Sequence, residues 1–131
     1  MKNLTKLERR VLEMMLNSDN DILASLNRQL DSICVTSREV SSAGFFTHFY
    51  VPIDCKTSSV NSSVSFKFGD VCADIEGLKF GAGFLLYVEN GYLKMLEGYS
   101  YDEPWPSDVQ KFELSYINGN RDLSRLKDIT A

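Results

Sequence analysis

Three observations predict an α+β fold, with an N-terminal helical hairpin packed on a curved, mostly antiparallel sheet. Apolar residues recur at helical spacing only before about residue 32. Beyond that point they alternate, or cluster in short aromatic and β-branched runs. Asn90-Gly91 sits between two such runs and marks a tight hairpin, because a type I′ turn needs positive φ at both central residues. Helices first and strands afterwards argue against the strand–helix alternation of a parallel sheet. At 131 residues the chain is expected to form a single domain over 1–131. Its parts are a helical hairpin over 1–32, an antiparallel sheet over 33–117 and a C-terminal tail over 118–131.

The first helix is expected from Thr5 to about Asn17. Thr5 and Glu8 fit a capping box, and Leu4, Leu7, Val11, Met14 and Met15 follow at helical spacing. Leu12 and Leu16 widen the apolar face, so this helix should lie against a core. Ser18-Asp19-Asn20-Asp21 supplies a turn and a second cap. The second helix is expected from about Asp21 to Asp31, with Ile22, Leu23, Leu26 and Leu30 on one side. The short connection makes an αα-hairpin.

Strands follow. Ile33 to Val40 alternates Ile33, Val35, Ser37 and Glu39 against Cys34, Thr36, Arg38 and Val40. A turn at Ser41–Gly44 leads into Phe45 to Val51, which Pro52 ends. Asp54 to Ser65 is Ser-rich and reads as a loop. Phe66 to Phe68 and Val71 to Ile75 are strand segments, as is Lys111 to Ile117, and the tail carries a weak helical pattern with Leu123 and Leu126. The helices should cover one face of about five to seven strands.

The Asn90-Gly91 turn sets a register across Phe80–Tyr101. A two-residue loop pairs Val88 with Leu93, Tyr87 with Lys94, Leu86 with Met95, and Phe84 with Glu97. Alternation then places Phe84, Leu86, Val88, Leu93 and Met95 on one apolar face, together with Glu97, Tyr99 and Tyr101. Gly81, Gly83 and Gly98 fall on the mixed face; a bulge would shift the assignment by one residue. A carboxylate on the apolar face needs a partner, and desolvation raises its pKa. Glu97 is therefore a candidate general acid or base, or a polar anchor in a pocket. The plainer reading, and the preferred one, is a sheet-edge Glu bonded to a Tyr hydroxyl, a Lys or backbone amides.

Other constellations carry less. Asp70, Cys72, Asp74 and Glu76 alternate against Val71, Ala73 and Ile75. Such carboxylates suit Ca²⁺ or Mg²⁺, but a half-buried strand predicts the same pattern and no EF-hand spacing is present, so no metal site is assigned. His48, the only histidine, shares a face with Phe46 and Tyr50. It could work with Glu97 or Glu39 beside a Ser or Cys nucleophile, yet no nucleophile motif accompanies it. A packed or edge His is the preferred reading. Gly81-Ala82-Gly83 enters a strand rather than a helix, so it offers no phosphate cradle, and no cofactor is expected.

Charge is uneven. Residues 70–113 hold 9 acidic and 3 basic side chains, while residues 1–69 hold 7 and 8 and residues 114–131 hold 2 and 3. The acidic half suits a basic partner protein, although such a surface more often just keeps a protein in solution, and it opposes nucleic-acid binding. No stretch approaches a membrane span of roughly 18 apolar residues. Met1–Arg10 is charged and shows no apolar leader core, so no secretory signal is expected. Cys34, Cys55 and Cys72 are odd in number and widely spaced, which fits free thiols in a cytoplasmic protein better than disulfides or zinc.

The densest motif is Leu96-Glu97-Gly98-Tyr99-Ser100-Tyr101-Asp102-Glu103-Pro104-Trp105-Pro106. Pro104 and Pro106 hold the only Trp in an extended segment. Trp105 reads equally as a binding anchor or as a clamp over the sheet end. With Gly77-Leu78, Gly81-Ala82-Gly83-Phe84 and Gly44-Phe45-Phe46-Thr47, this run resembles small uncharacterised bacterial proteins that share an LEGYxYxExWP ending. The resemblance covers about Arg38 to Pro106 and implies no activity. In size and charge the chain is also similar to immunity proteins that neutralise toxins, a likeness of fold-level kind only. The expected function is a non-enzymatic protein-binding module, for which the likeness to immunity proteins implies toxin neutralisation as one form. Its contact residues would be Glu97, Tyr99, Tyr101, Asp102, Glu103 and Trp105. The alternatives are a small hydrolase or ligand-binding protein with a pocket around Glu97 and His48, and self-association through an exposed strand edge.

Overall fold

Thr5 starts the first helix as the capping box requires: its hydroxyl accepts from the Glu8 amide, and the Glu8 carboxylate accepts from the Thr5 amide. A computed structural model describes residues 3–52 and 65–117. The expected Ser-rich loop up to residue 64 and the tail over 118–131 lie outside the described residues. Helix α1 runs Lys6–Leu16 and α2 Asp21–Gln29, the latter capped by Asn20, whose side chain accepts from the Ile22 and Leu23 amides. Leu7, Val11, Leu12, Met15 and Leu16 of α1 join Ile22, Leu23, Leu26 and Leu30 in one buried cluster, as the spacing predicts.

The strands are β1 (Cys34–Ser41), β2 (Gly44–Tyr50), β3 (Phe66–Phe68), β4 (Val71–Ile75), β5 (Ala82–Glu89), β6 (Tyr92–Ser100) and β7 (Phe112–Tyr116). They form one open, seven-stranded antiparallel sheet in the order β1-β2-β6-β5-β4-β7, with β3 also paired to β5. Both helices pack on one face, against Phe45, Phe49, Phe84, Leu86, Val88, Leu93 and Leu96. The α+β layout is therefore the one the sequence predicts.

Polar contacts fix the layers relative to each other. The Gln29 side chain is fully buried; it donates to the Gly91 carbonyl (2.9 Å) and accepts from the Leu93 amide (3.0 Å). One side-chain amide thus satisfies the backbone on the inner side of the β5–β6 turn. At the other end, the Tyr116 hydroxyl donates to the Met14 carbonyl at 2.7 Å, tying β7 to the last turn of α1.

Two bulges correct the expected register. In β1 the pairing skips Thr36, so Arg38 and Val40 share the inner face with Val35, while Ser37 and Glu39 point outward. In β6 the pairing skips Lys94. Val88 faces Leu93 as predicted, but Tyr87 then pairs with Met95, Leu85 with Glu97, and Phe84 with Gly98. Past the bulge every β6 side chain changes face, since strand periodicity is two. Leu96 and Gly98 turn to the core, and Met95, Glu97 and Tyr99 turn to the opposite face.

Candidate functional site

That opposite face carries no helix among the described residues. Following the ladders, one row of side chains runs Ser37, His48, Met95, Tyr87 and Lys67. The next runs Glu39, Phe46, Glu97 and Leu85. A third runs Gly44, Tyr99, Gly83, Cys72 and Ser115. Phe46, His48, Leu85, Tyr87, Met95, Glu97 and Tyr99 are all half-buried, so large side chains stand side by side on the sheet face opposite the helices.

Glu97 sits at the centre of this surface rather than on the inner, apolar face. The bulge at Lys94 carries it outward. It stands between Phe46 on β2 and Leu85 on β5, and the Tyr87 hydroxyl donates to its Oε1 at 2.9 Å. A Tyr hydroxyl is one of the three partners the plainer reading named, but Glu97 is not at the sheet edge: β6 is an interior strand between β2 and β5. Among the described residues, no Lys, Arg or His forms an ion pair with it. Burial, and then the contact with Glu97, push the Tyr87 hydroxyl above its ordinary pKa.

Tyr99 and Tyr101 do share the face of Glu97, as expected. Their rings meet edge to face with centroids 5.6 Å apart. Gly83 makes room for them: a Cβ there would lie 2.6 Å from the Tyr99 hydroxyl and 2.7 Å from that of Tyr101. Gly83 therefore lies on the outer face as predicted, beneath two phenols. Burial, Tyr101 and the Glu97 charge push the Tyr99 hydroxyl up to about 12. Gly98, by contrast, lies on the core face and not with Gly83; a Cβ there would meet the Phe45 ring at 2.3 Å.

The rest of the Leu96–Pro106 motif turns elsewhere. Asp102 is an exposed residue at φ 56°, a left-handed conformation in the short loop between Ser100 and Trp105, whose amides donate to the Ala43 and Ser42 carbonyls in turn. The Glu103 carboxylate accepts from the Lys79 and Phe80 amides at 2.8 and 2.9 Å, closing the preceding loop. Trp105 packs on the core side, edge to face with Phe45 at 5.3 Å, while its amide donates to the Ser42 carbonyl at 2.7 Å. This is clamp geometry over the end of the β1–β2 hairpin. The expected contact surface thus splits: Glu97, Tyr99 and Tyr101 line one face, whereas Glu103 and Trp105 hold the fold.

His48 and Glu97 share the outer face as diagonal neighbours, because His48 pairs with Met95 and Phe46 with Glu97. The His48 ring nevertheless meets Glu39, with Nε2 3.4 Å from Oε2. Val71, Ala73 and Ile75 are buried against outward Cys72 and Asp74, the pattern of a half-buried strand. No group of three His, Cys, Asp or Glu among the described residues is placed to hold a metal ion. No helix among them is long and apolar enough to cross a membrane. Cys34 and Cys72 are free thiols.

One buried charge was not visible in the sequence. The capping Glu8, 2% exposed, also accepts from Arg38 Nε (3.0 Å) and Nη2 (2.7 Å) and from the Thr47 hydroxyl. Burial raises its pKa, but the bonds from Arg38, Thr47 and Thr5 outweigh burial and leave it below the ordinary Glu value. The capping-box spacing revealed the helical role of Glu8 alone. Its other partners are 30 and 39 residues away, beyond any local pattern.

Comparison with family models, with curated proteins and with solved structures finds no match to this chain.

Proposed function

We propose that the protein is a non-enzymatic binding module that docks a basic partner protein on the sheet face opposite its helices, with neutralisation of a basic toxin as the form this takes. The observation that carries the reading is a half-buried aromatic surface around Glu97, a carboxylate with no cationic partner among the described residues. Charge supports it. Asp74 and Glu113 extend the acidic character along the same face, Glu39 flanks it, and residues 70–113 carry 9 acids against 3 bases. Acidic side chains steer a basic partner, and Phe46, Tyr87 and Tyr99 supply contact area with little entropy to lose. The contact set proposed is Glu97, Tyr99 and Tyr101 with Phe46 and Tyr87, and Asp102 at its rim. The bacterial, cytoplasmic setting belongs to the same proposal, in keeping with the free thiols Cys34 and Cys72.

The test is to display the source organism's proteome as protein fragments and select on the purified chain. The expected winners are basic and lose binding in Phe46→Ala and Glu97→Gln. Winners without charge preference, or winners indifferent to both variants, would overturn the reading. A second reading, a ligand pocket around Glu97 and His48, is favoured by their diagonal placement on one face. It predicts that a small-molecule screen perturbs both residues together. A screen that perturbs neither removes it.

A further inference from the structure

The Glu97 surface has a more specific chemistry than acidity. Its Oε1 accepts from the Tyr87 hydroxyl at 2.9 Å, which draws that oxygen toward β5. Its Oε2 has no protein donor among the described residues. The neighbours are flat or apolar: Phe46 across β2, Leu85 across β5, and Tyr99 two residues along β6. Tyr99 is itself held by the edge-to-face contact with Tyr101 over bare Gly83. A carboxylate flanked by Phe46, with Tyr87 and Tyr99 near it on the same face and its second oxygen without a protein donor among the described residues, is a receptor for a planar cation. A guanidinium fits best. It donates in parallel to a carboxylate, stacks on aromatic faces and is more weakly hydrated than an ammonium.

Resting on the proposed docking of a basic partner, we infer that Glu97, Phe46, Tyr87 and Tyr99 form a pocket for a single arginine side chain of that partner. The guanidinium would donate to Glu97 Oε2 and lie against Phe46 or Tyr99. Tyr87 is then a positioning residue, since it orients Glu97 without needing to touch the ligand. Arg38, the one arginine on a described strand, is committed to Glu8 on the opposite face and does not compete.

The experiment is a titration of the full chain with N-acetyl-arginine methylamide, followed by backbone amide shifts. N-acetyl-citrulline methylamide and N-acetyl-lysine methylamide serve as controls. The expected result is saturable, weak binding with shifts at Phe46, Tyr87, Glu97 and Tyr99. It should be weaker by about tenfold or more for citrulline, and likewise in Glu97→Gln. Glu97→Gln keeps an acceptor for Tyr87, and Phe46→Leu supplies an independent variant should the first disturb the sheet. Shifts that never saturate, equal binding of citrulline, or indifference to both variants would overturn the pocket. A lysine probe that binds as tightly as arginine would overturn the choice of guanidinium. If the probes fail while a basic protein fragment still shifts Phe46, Met95 and Tyr99, the pocket falls and the docking surface stands. If that fragment shifts only α1 and α2, both fall.

Discussion

Replacing Arg38 by Leu should cost more stability than any change on the open face of the sheet. The Glu8 side chain is 3% exposed and that of Arg38 23%, and their two contacts at 2.7 and 3.0 Å form a fork on one carboxylate. Arg38→Leu leaves that carboxylate buried with only the Thr5 amide and the Thr47 hydroxyl as donors. Removing one partner of such a pair costs about 3–5 kcal/mol. Domains of this size have only about 5–15 kcal/mol in total. Urea unfolding followed by circular dichroism at neutral pH reads the loss as a lower midpoint with an unchanged slope. The same network makes a statement about pH. Glu8 holds its proton less tightly in the fold than the ordinary value of 4.5. Its contribution is therefore fully present above pH 4.5 and is lost as the pH falls through the lower folded value. The stability gap between wild type and Glu8→Gln should stay constant above about pH 4.5 and narrow as the pH falls from there through the lower folded value. A cost for Arg38→Leu under about 1 kcal/mol, the level of an exposed pair, would refute the reasoning. So would a gap that ignores acid.

Gln29→Leu should cost about 2–4 kcal/mol by stranding the Gly91 carbonyl and the Leu93 amide; hydrogen exchange at Leu93 should accelerate well beyond that of its neighbours. Trp105→Ala should cost about 1–2 kcal/mol through the lost edge-to-face contact with Phe45 and lost burial, while leaving the amide shifts of Glu97 and Tyr99 in place. Ultraviolet titration should show a phenol ionising at about 12 that disappears in Tyr99→Phe and moves down in Glu97→Gln, since burial, Tyr101 and the Glu97 charge all hold the proton on.

The elements were legible because their signals are local. The Thr5–Glu8 box, the Asn20 cap and the apolar spacing after each define both helices within their own turns. Asn90 and Gly91 do adopt positive φ, 53° and 81°, so the hairpin lies where the dipeptide puts it. The facing of Glu97 was not legible. One extra residue at Lys94 leaves Leu93, Met95 and Leu96 looking like an apolar run in either register. The pair Leu93 and Leu96, three residues apart and both in the core, is the trace the bulge leaves in the sequence, since strict alternation would put them on opposite faces. The aromatic motif was visible as a density of costly side chains, but not its division between two faces. That division depends on the left-handed turn at Asp102 and on Glu103 and Trp105 meeting partners more than twenty residues away in the sequence.

The placement of Glu97 on the open face rests on the bulge, and proton–proton contacts across β5 and β6 test it most directly. The account predicts Tyr87 opposite Met95 and Leu85 opposite Glu97, with Glu97 side-chain contacts to Phe46 and Tyr87. Contacts pairing Tyr87 with Lys94 and Phe84 with Glu97 would return the carboxylate to the helical side and contradict it.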